Sequence, residues 1–166
     1  MSSTRTMGIS VTDVDTTAVL PLGFEYHEPA SSDDQGAKVW IYVYNDETST
    51  NFVEGNVVVR DAATATYDGI LSPAAVVPAF RVLGVAQHTI AFGSYGFILR
   101  NGIGEVIAGV GTLDINEALT ADGTTAGTAM ASDVLGAAQK MDVDFGWATE
   151  NAIATAKATC MINCLG

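Results

Sequence analysis

The sequence predicts an all-β protein, a sandwich or barrel-like body of two tandem related β modules preceded by an extended N-terminal arm. Three observations carry that prediction. The run Val82 to Asn101 has a weaker copy from Phe145 to Asn163, in which Gly84-Val85-Ala86 falls on Gly146-Trp147-Ala148, 62 residues later (84 to 146). One extra residue in the second copy then sets Ile90-Ala91 on Ile153-Ala154. Upstream, Phe52 to Val59 is echoed by Leu113 to Leu119, 61 residues later (52 to 113). The third observation is Lys38-Val39-Trp40-Ile41-Tyr42-Val43-Tyr44, the most β-prone run of the chain, with no alternation of strands and long helices around it.

Residues 1–22 are rich in Ser, Thr and Asp and hold no periodicity for long, so they read as the arm. Residues 23–166 then form a single β domain, with modules at about 52–101 and 113–163. Within the arm, Asp13-Val14-Asp15 has the start of a calcium loop, but Ala18 and Phe24 stand where its Gly and Glu belong, and no metal is expected there. Leu20, Leu22, Phe24 and Tyr26 alternate at period two, which would let an added strand set all four on one face, against a neighbouring subunit or over the protein's own body. In the run from Lys38 to Tyr44, Val39, Ile41 and Val43 share one face and Trp40, Tyr42 and Tyr44 the other. That pattern suits a central strand; alternatively the aromatic face is an interface.

Farther on, Asn56 to Arg60 is a strand, and Pro73 and Pro78 bracket a connection that cannot be helical throughout. Asn101-Gly102 predicts a hairpin joining Phe97–Arg100 to Gly104–Ile107. Ser132 could cap one or two helical turns running to Gln139. The glycines of the Gly-x-Ala steps suit strands that bend or admit another backbone closely. Cys160 and Cys164, four apart on the last strand, would have Cα atoms ~13 Å apart, beyond disulfide reach. They are expected as unbridged thiols, one alkylated readily and the other slowly if they straddle a sheet edge.

Composition narrows function. With 166 residues, 48% of them hydrophobic, the chain can bury a core as one domain. A net charge of −12 with only 7 basic residues excludes sequence-independent nucleic-acid binding and anionic membranes, which leaves proteins as the expected partners. No apolar run approaches the ~20 residues of a membrane span, and Met1 to Thr6 opens no signal peptide, so a soluble, unexported protein is expected.

The search for chemistry returns no catalytic constellation. Gly104 to Gly109 has phosphate-loop spacing, but Val110 replaces the lysine. Gly93-Ser94-Tyr95-Gly96 misses the nucleophile elbow. Glu25, His27 and Glu28 read as solvated polar residues, and His88 as a turn residue that the second copy replaces with Glu150. No catalytic, metal or cofactor-binding residue is therefore assigned, and no enzyme is expected.

The Ser/Thr/Asp-rich start, Pro21-Leu22-Gly23, Val39 to Val43, Glu54-Gly55-Asn56-Val57-Val58 and the repeated Gly-Val-Ala86 and Gly-Trp-Ala148 steps cover most of the chain. In these the sequence resembles tailed-bacteriophage virion structural proteins of the capsid cement or decoration kind. The resemblance implies an all-β, often trimeric, non-enzymatic protein. It would sit on the outer surface of the head, in virions assembled in the host cytoplasm, and tie major capsid protein subunits together. The expected interface residues are Leu20, Leu22, Phe24, Tyr26, Trp40, Tyr42 and Tyr44. The alternative is a carbohydrate- or receptor-binding virion module, in which surface Trp and Tyr would line a sugar site.

Overall fold

The computed structural model describes residues 10–30, 36–61, 66–75, 77–132 and 144–164. Residues 1–9 of the arm and the helical turns expected after Ser132 lie outside them. The described strands are β1 (Val14–Asp15), β2 (Glu25–Glu28), β3 (Lys38–Asn45), β4 (Val57–Arg60), β5 (Asp68–Leu71), β6 (Val82–Val85), β7 (Tyr95–Ile107), β8 (Ala118–Ala121), β9 (Ala129–Ala131), β10 (Gly146–Ala148) and β11 (Lys157–Asn163), with one 3-10 turn at Ala79–Arg81. The fold is all-β, and its organisation follows from β7, a strand of 13 residues that belongs to two rings.

Strands β3, β5, β4, β6 and β7 are neighbours in that order, and β7 pairs back onto β3, closing a five-stranded barrel. The far half of β7 then pairs with β11, followed by β10, β8 and β9, and a parallel bridge from Ala108 to Ala129 closes this second ring. The last strand of one ring is thus the first strand of the next, and the closed unit reaches back beyond residue 52 to take in β3.

Backbone bonds repeat between the rings. The bridge of Phe52 with Ile90 corresponds to that of Leu113 with Ala152. The bonds of Asn45 N to Ser94 O (2.9 Å) and Gly93 N to Asn45 O (2.9 Å) correspond to Ala108 N to Ala156 O (2.8 Å) and Thr155 N to Ala108 O (2.9 Å). These pairings make Ile90 the equivalent of Ala152, so the extra residue allowed beside Ile153-Ala154 is not needed. Backbone pairing rather than side-chain likeness decides the alignment.

The glycine of each Gly-x-Ala step sits where a strand crosses closely. A Cβ on Gly84 would lie 2.5 Å from Leu99 O, and one on Gly146 would lie 2.3 Å from Met161 O, the equivalent carbonyl 62 residues on (99 to 161). Gly102 departs from expectation. No hairpin forms at Asn101-Gly102; β7 runs straight through. Gly102 has φ +121° and a Cβ there would meet Ala37 O at 3.0 Å, so the glycine serves a bend and a close approach instead of a turn.

The first barrel encloses Ile41, Val43, Phe52, Val58, Leu83, Ala86, Ile90 and Ile98, each 0% exposed, as an apolar cluster of its own. A second, larger cluster joins the outward faces of β3, β4, β6 and β7 to the inward residues of the second ring, among them Val106, Leu119, Phe145 and Ile162. The two repeats therefore share a core. Cys160 takes the place of Ile98 in this scheme and is 0% exposed, while Cys164 is 5% exposed. Both thiols are free, and burial pushes each up to about 12. The condition set for unequal alkylation, that the two straddle an edge, is not met: β11 lies between β7 and β10 and both thiols are buried.

Candidate attachment surfaces

The residues expected to face a partner are turned onto the chain's own body. Trp40 is 6% and Tyr42 1% exposed. The Trp40 indole N–H donates to Glu28 Oε2 at 2.8 Å, and the Tyr42 hydroxyl donates to Asp15 Oδ2 at 3.3 Å while accepting from Val19 N at 3.4 Å. Tyr42 also stacks on Tyr95 (6.2 Å between centroids) and tilts against Phe97 (5.1 Å), and half-buried Tyr44 lies 4.8 Å from Tyr95. Within the chain, Trp40 and Tyr42 pack into the core, β3 having strands on both edges, while Tyr44 stays half-buried against Tyr95.

Leu20, Leu22, Phe24 and Tyr26 are half-buried against that same core. The added strand anticipated for this segment does form, but on the chain itself. β2 pairs antiparallel with β3, Tyr26 opposite Trp40, and Gly23 N to Tyr42 O (2.8 Å) and Tyr42 N to Phe24 O (2.9 Å) continue the ladder. Farther upstream, β1 lies along β7, Val14 opposite Gly96.

The polar candidates are occupied structurally. Glu25 pairs with Arg100, His27 lies 3.8 Å from Glu25, and Glu28 holds the Trp40 indole, so the three form no common site. Burial lowers the pKa of His88, with Asp13 opposing, and neither imidazole nitrogen has a hydrogen-bond partner among the described residues. Asp122 is 0% exposed. Burial alone would raise its pKa, but donors from Val110 N (2.8 Å), Thr124 N and Oγ1 (both 2.8 Å) and Thr128 Oγ1 (3.3 Å) bring it below the usual carboxylate range. Those four bonds make Asp122 the knot of the β8–β9 connection.

What the fold does present outward is a set of four equivalent turns. Each starts at a buried bridging residue: Phe52, Ile90, Leu113 or Ala152. Three residues later each has a positive φ, at Gly55 (93°), Gly93 (69°), Asn116 (70°) and Thr155 (66°). A bond closes each turn, from Asn56 N to Val53 O (3.0 Å), Ser94 N to Ala91 O (3.2 Å), Glu117 N to Asp114 O (3.0 Å) and Ala156 N to Ile153 O (3.0 Å). Asn51 and Asn151 side chains cap Phe92 N (3.1 Å) and Ile115 N (2.7 Å).

Turns of this kind normally carry polar residues, yet these expose Val53 (42%), Phe92 (51%), Ile115 (54%) and Ile153 (71%). The first and last are brought together. Ile107 N bonds Gly55 O (2.9 Å) while Thr155 N bonds the adjoining residue, Ala108, and a Lys157–Glu54 ion pair spans them. Val110, 64% exposed, follows on the same stretch of chain. The signal was present in the sequence as an apolar residue followed three positions later by Gly, Asn or Thr. It carried no weight until the bridges showed the four turns to be one structure.

No family model matches this chain, and no curated protein matches it. Among solved structures it is similar to the head fiber gp8.5 N base in bacteriophage phi29, with 17% identity and a TM-score of 0.50 over 76% of this chain and 94% of that one. At that identity the likeness is one of fold.

Proposed function

We propose that this protein is a non-enzymatic structural component of a phage virion, attached to the outer surface of the head and linking major capsid protein subunits. The observation that carries the reading is a set of exposed apolar residues, Val53 and Ile153 on hydrogen-bonded turns that bond the chain at Ile107 and Ala108, and Val110 just beyond, on a chain of net charge −12. Apolar side chains on hydrogen-bonded turns lose little conformational freedom on docking, so the area they bury goes largely into affinity. The fold likeness to a phage head fiber base and the resemblance of the sequence layout to head decoration proteins support the same assignment. Attachment needs no chemistry here. Each tip would contribute through burial, and the acidic remainder would keep the free protein dispersed before assembly.

The test uses heads purified without the protein, to which the intact chain or variants are added and co-sedimented. V53D, V110D and I153D should each weaken decoration about tenfold or more, the change expected when a buried apolar anchor becomes a charge, and leave the far-ultraviolet dichroism unchanged. Heads carrying the wild-type protein should retain DNA to a higher temperature than bare heads. If all three variants decorate and protect heads as the wild type does, the turn tips are not the attachment surface.

A further inference from the structure

Sheet register exposes a second apolar surface that the turns do not account for. In the second ring, Ala118 on β8 faces Trp147 on β10, Trp147 faces Met161 on β11, and Met161 faces Ile103 on β7. Directly paired residues share a face, so these four side chains form one row across four adjacent strands, ~14 Å wide at the usual strand spacing. Trp147 is 45% exposed and the other three are partly so.

The first ring contains the same row. Val57 faces Val85, Val85 faces Leu99, and Leu99 faces Trp40. All four are 0 to 6% exposed. They belong to one apolar cluster with Val106, Ala108 and Leu119 of the second repeat, and Gly104 leaves the room that Leu99 enters. In this fold the row of the first ring is therefore a contact between repeats, while the same row of the second ring is exposed among the described residues.

The borders of the open row differ from each other. On one side Thr159 faces Glu105, and the Thr159 hydroxyl lies 3.1 Å from Glu105 Oε1 and 2.9 Å from Glu150 Oε1. On the other, Asn163 faces Asn101, with Asn101 Nδ2 donating to Asn163 Oδ1 at 3.0 Å. A second copy laid across the row in the opposite sense sets carboxylates against amide donors instead of against carboxylates. We propose that the row Ala118, Trp147, Met161 and Ile103 is the surface through which copies of this chain associate. The inference stands on the register and on the repeat, independently of attachment to a head.

Sedimentation velocity of the full chain across micromolar to millimolar concentrations tests it, together with acrylamide quenching of tryptophan fluorescence. Trp40 is buried, so the quenchable signal reports Trp147. Association with falling quenching is expected as concentration rises, and added salt should strengthen it by screening two acidic chains. W147E and M161E should each weaken it about tenfold or more while leaving the thermal midpoint near that of the wild type. A chain that stays monomeric throughout overturns the proposal, as does an oligomer whose mass and quenching are unchanged in both variants. A monomer that loses attachment to heads in W147E also overturns it, by assigning the row to a foreign partner. Loss of attachment in I153D with association intact leaves this inference standing and bears only on the turn tips.

Discussion

Replacing Gly84 or Gly146 by alanine applies one perturbation at two equivalent places. A methyl on Gly84 would sit 2.5 Å from Leu99 O and 3.1 Å from two Ile98 carbons; one on Gly146 would sit 2.3 Å from Met161 O and 3.3 Å from two further backbone atoms. In both cases the nearest obstacle is a paired strand, which cannot rotate away as a side chain can. Overpacking of this kind costs about 1–3 kcal/mol, and the smaller entropy of the unfolded alanine chain offsets about 0.4–1 kcal/mol of it. A net loss of about 1–2 kcal/mol is expected for each, larger for G146A, with a fall in thermal midpoint of roughly 2–4 °C per kcal/mol. Because β7 belongs to both rings and one apolar cluster spans them, each variant should shift a single transition seen alike by dichroism and by tryptophan fluorescence. The close-approach argument fails if both variants are neutral or stabilising. The shared core fails if two transitions appear and each variant moves only its own.

The buried thiols should react with iodoacetamide only on the timescale of unfolding, and mass spectrometry of the non-reduced protein should show both reduced; rapid labelling of Cys160 or Cys164 at neutral pH would contradict their burial and their pKa values of about 12. D122N should destabilise by about 1–3 kcal/mol, since an amide replaces one acceptor where backbone and hydroxyl donors converge. The lowered Asp122 pKa contributes stability that is complete above its ordinary value of 3.8 and is lost as pH falls through the folded value, so urea titrations should show the gap between wild type and D122N narrowing below pH 3.8. Y42F should cost about 0.5–1.5 kcal/mol and speed hydrogen exchange at Val19, whose amide the hydroxyl accepts; unchanged exchange there would mean that the tyrosine does not hold the N-terminal segment down.

Much of the architecture was legible in the chain. The period-two pattern of β3 and the spaced echoes of Phe52 in Leu113 and of Gly84 in Gly146 are direct consequences of strands whose side chains alternate and of backbones that cross where no Cβ fits. A repeated closing scheme repeats those requirements, so it leaves a repeated pattern. The turn tips were written in the sequence too, but the same apolar letters serve equally well as strand residues. Only the positive φ of Gly55, Gly93, Asn116 and Thr155 separates the two uses.

What the tertiary structure alone decided is which surface does the covering. Trp40, Tyr42, Leu20 and Phe24 were recognisable as residues that something must bury; that the something is this chain's own β2, β7 and second ring depends on contacts between residues far apart in sequence, which no local pattern encodes. Gly102 shows the same limit. Glycine records that a Cβ is excluded, and Asn-Gly usually means a turn, but here the exclusion comes from the backbone at Ala37 more than sixty residues away (37 to 102). Trp147 is the converse case: its counterpart Val85 is sealed between the two repeats, whereas Trp147, on the outward face of the second, is 45% exposed. Sequence alone determined that these positions are apolar and paired. Their burial or exposure was decided by which other strands pack over them.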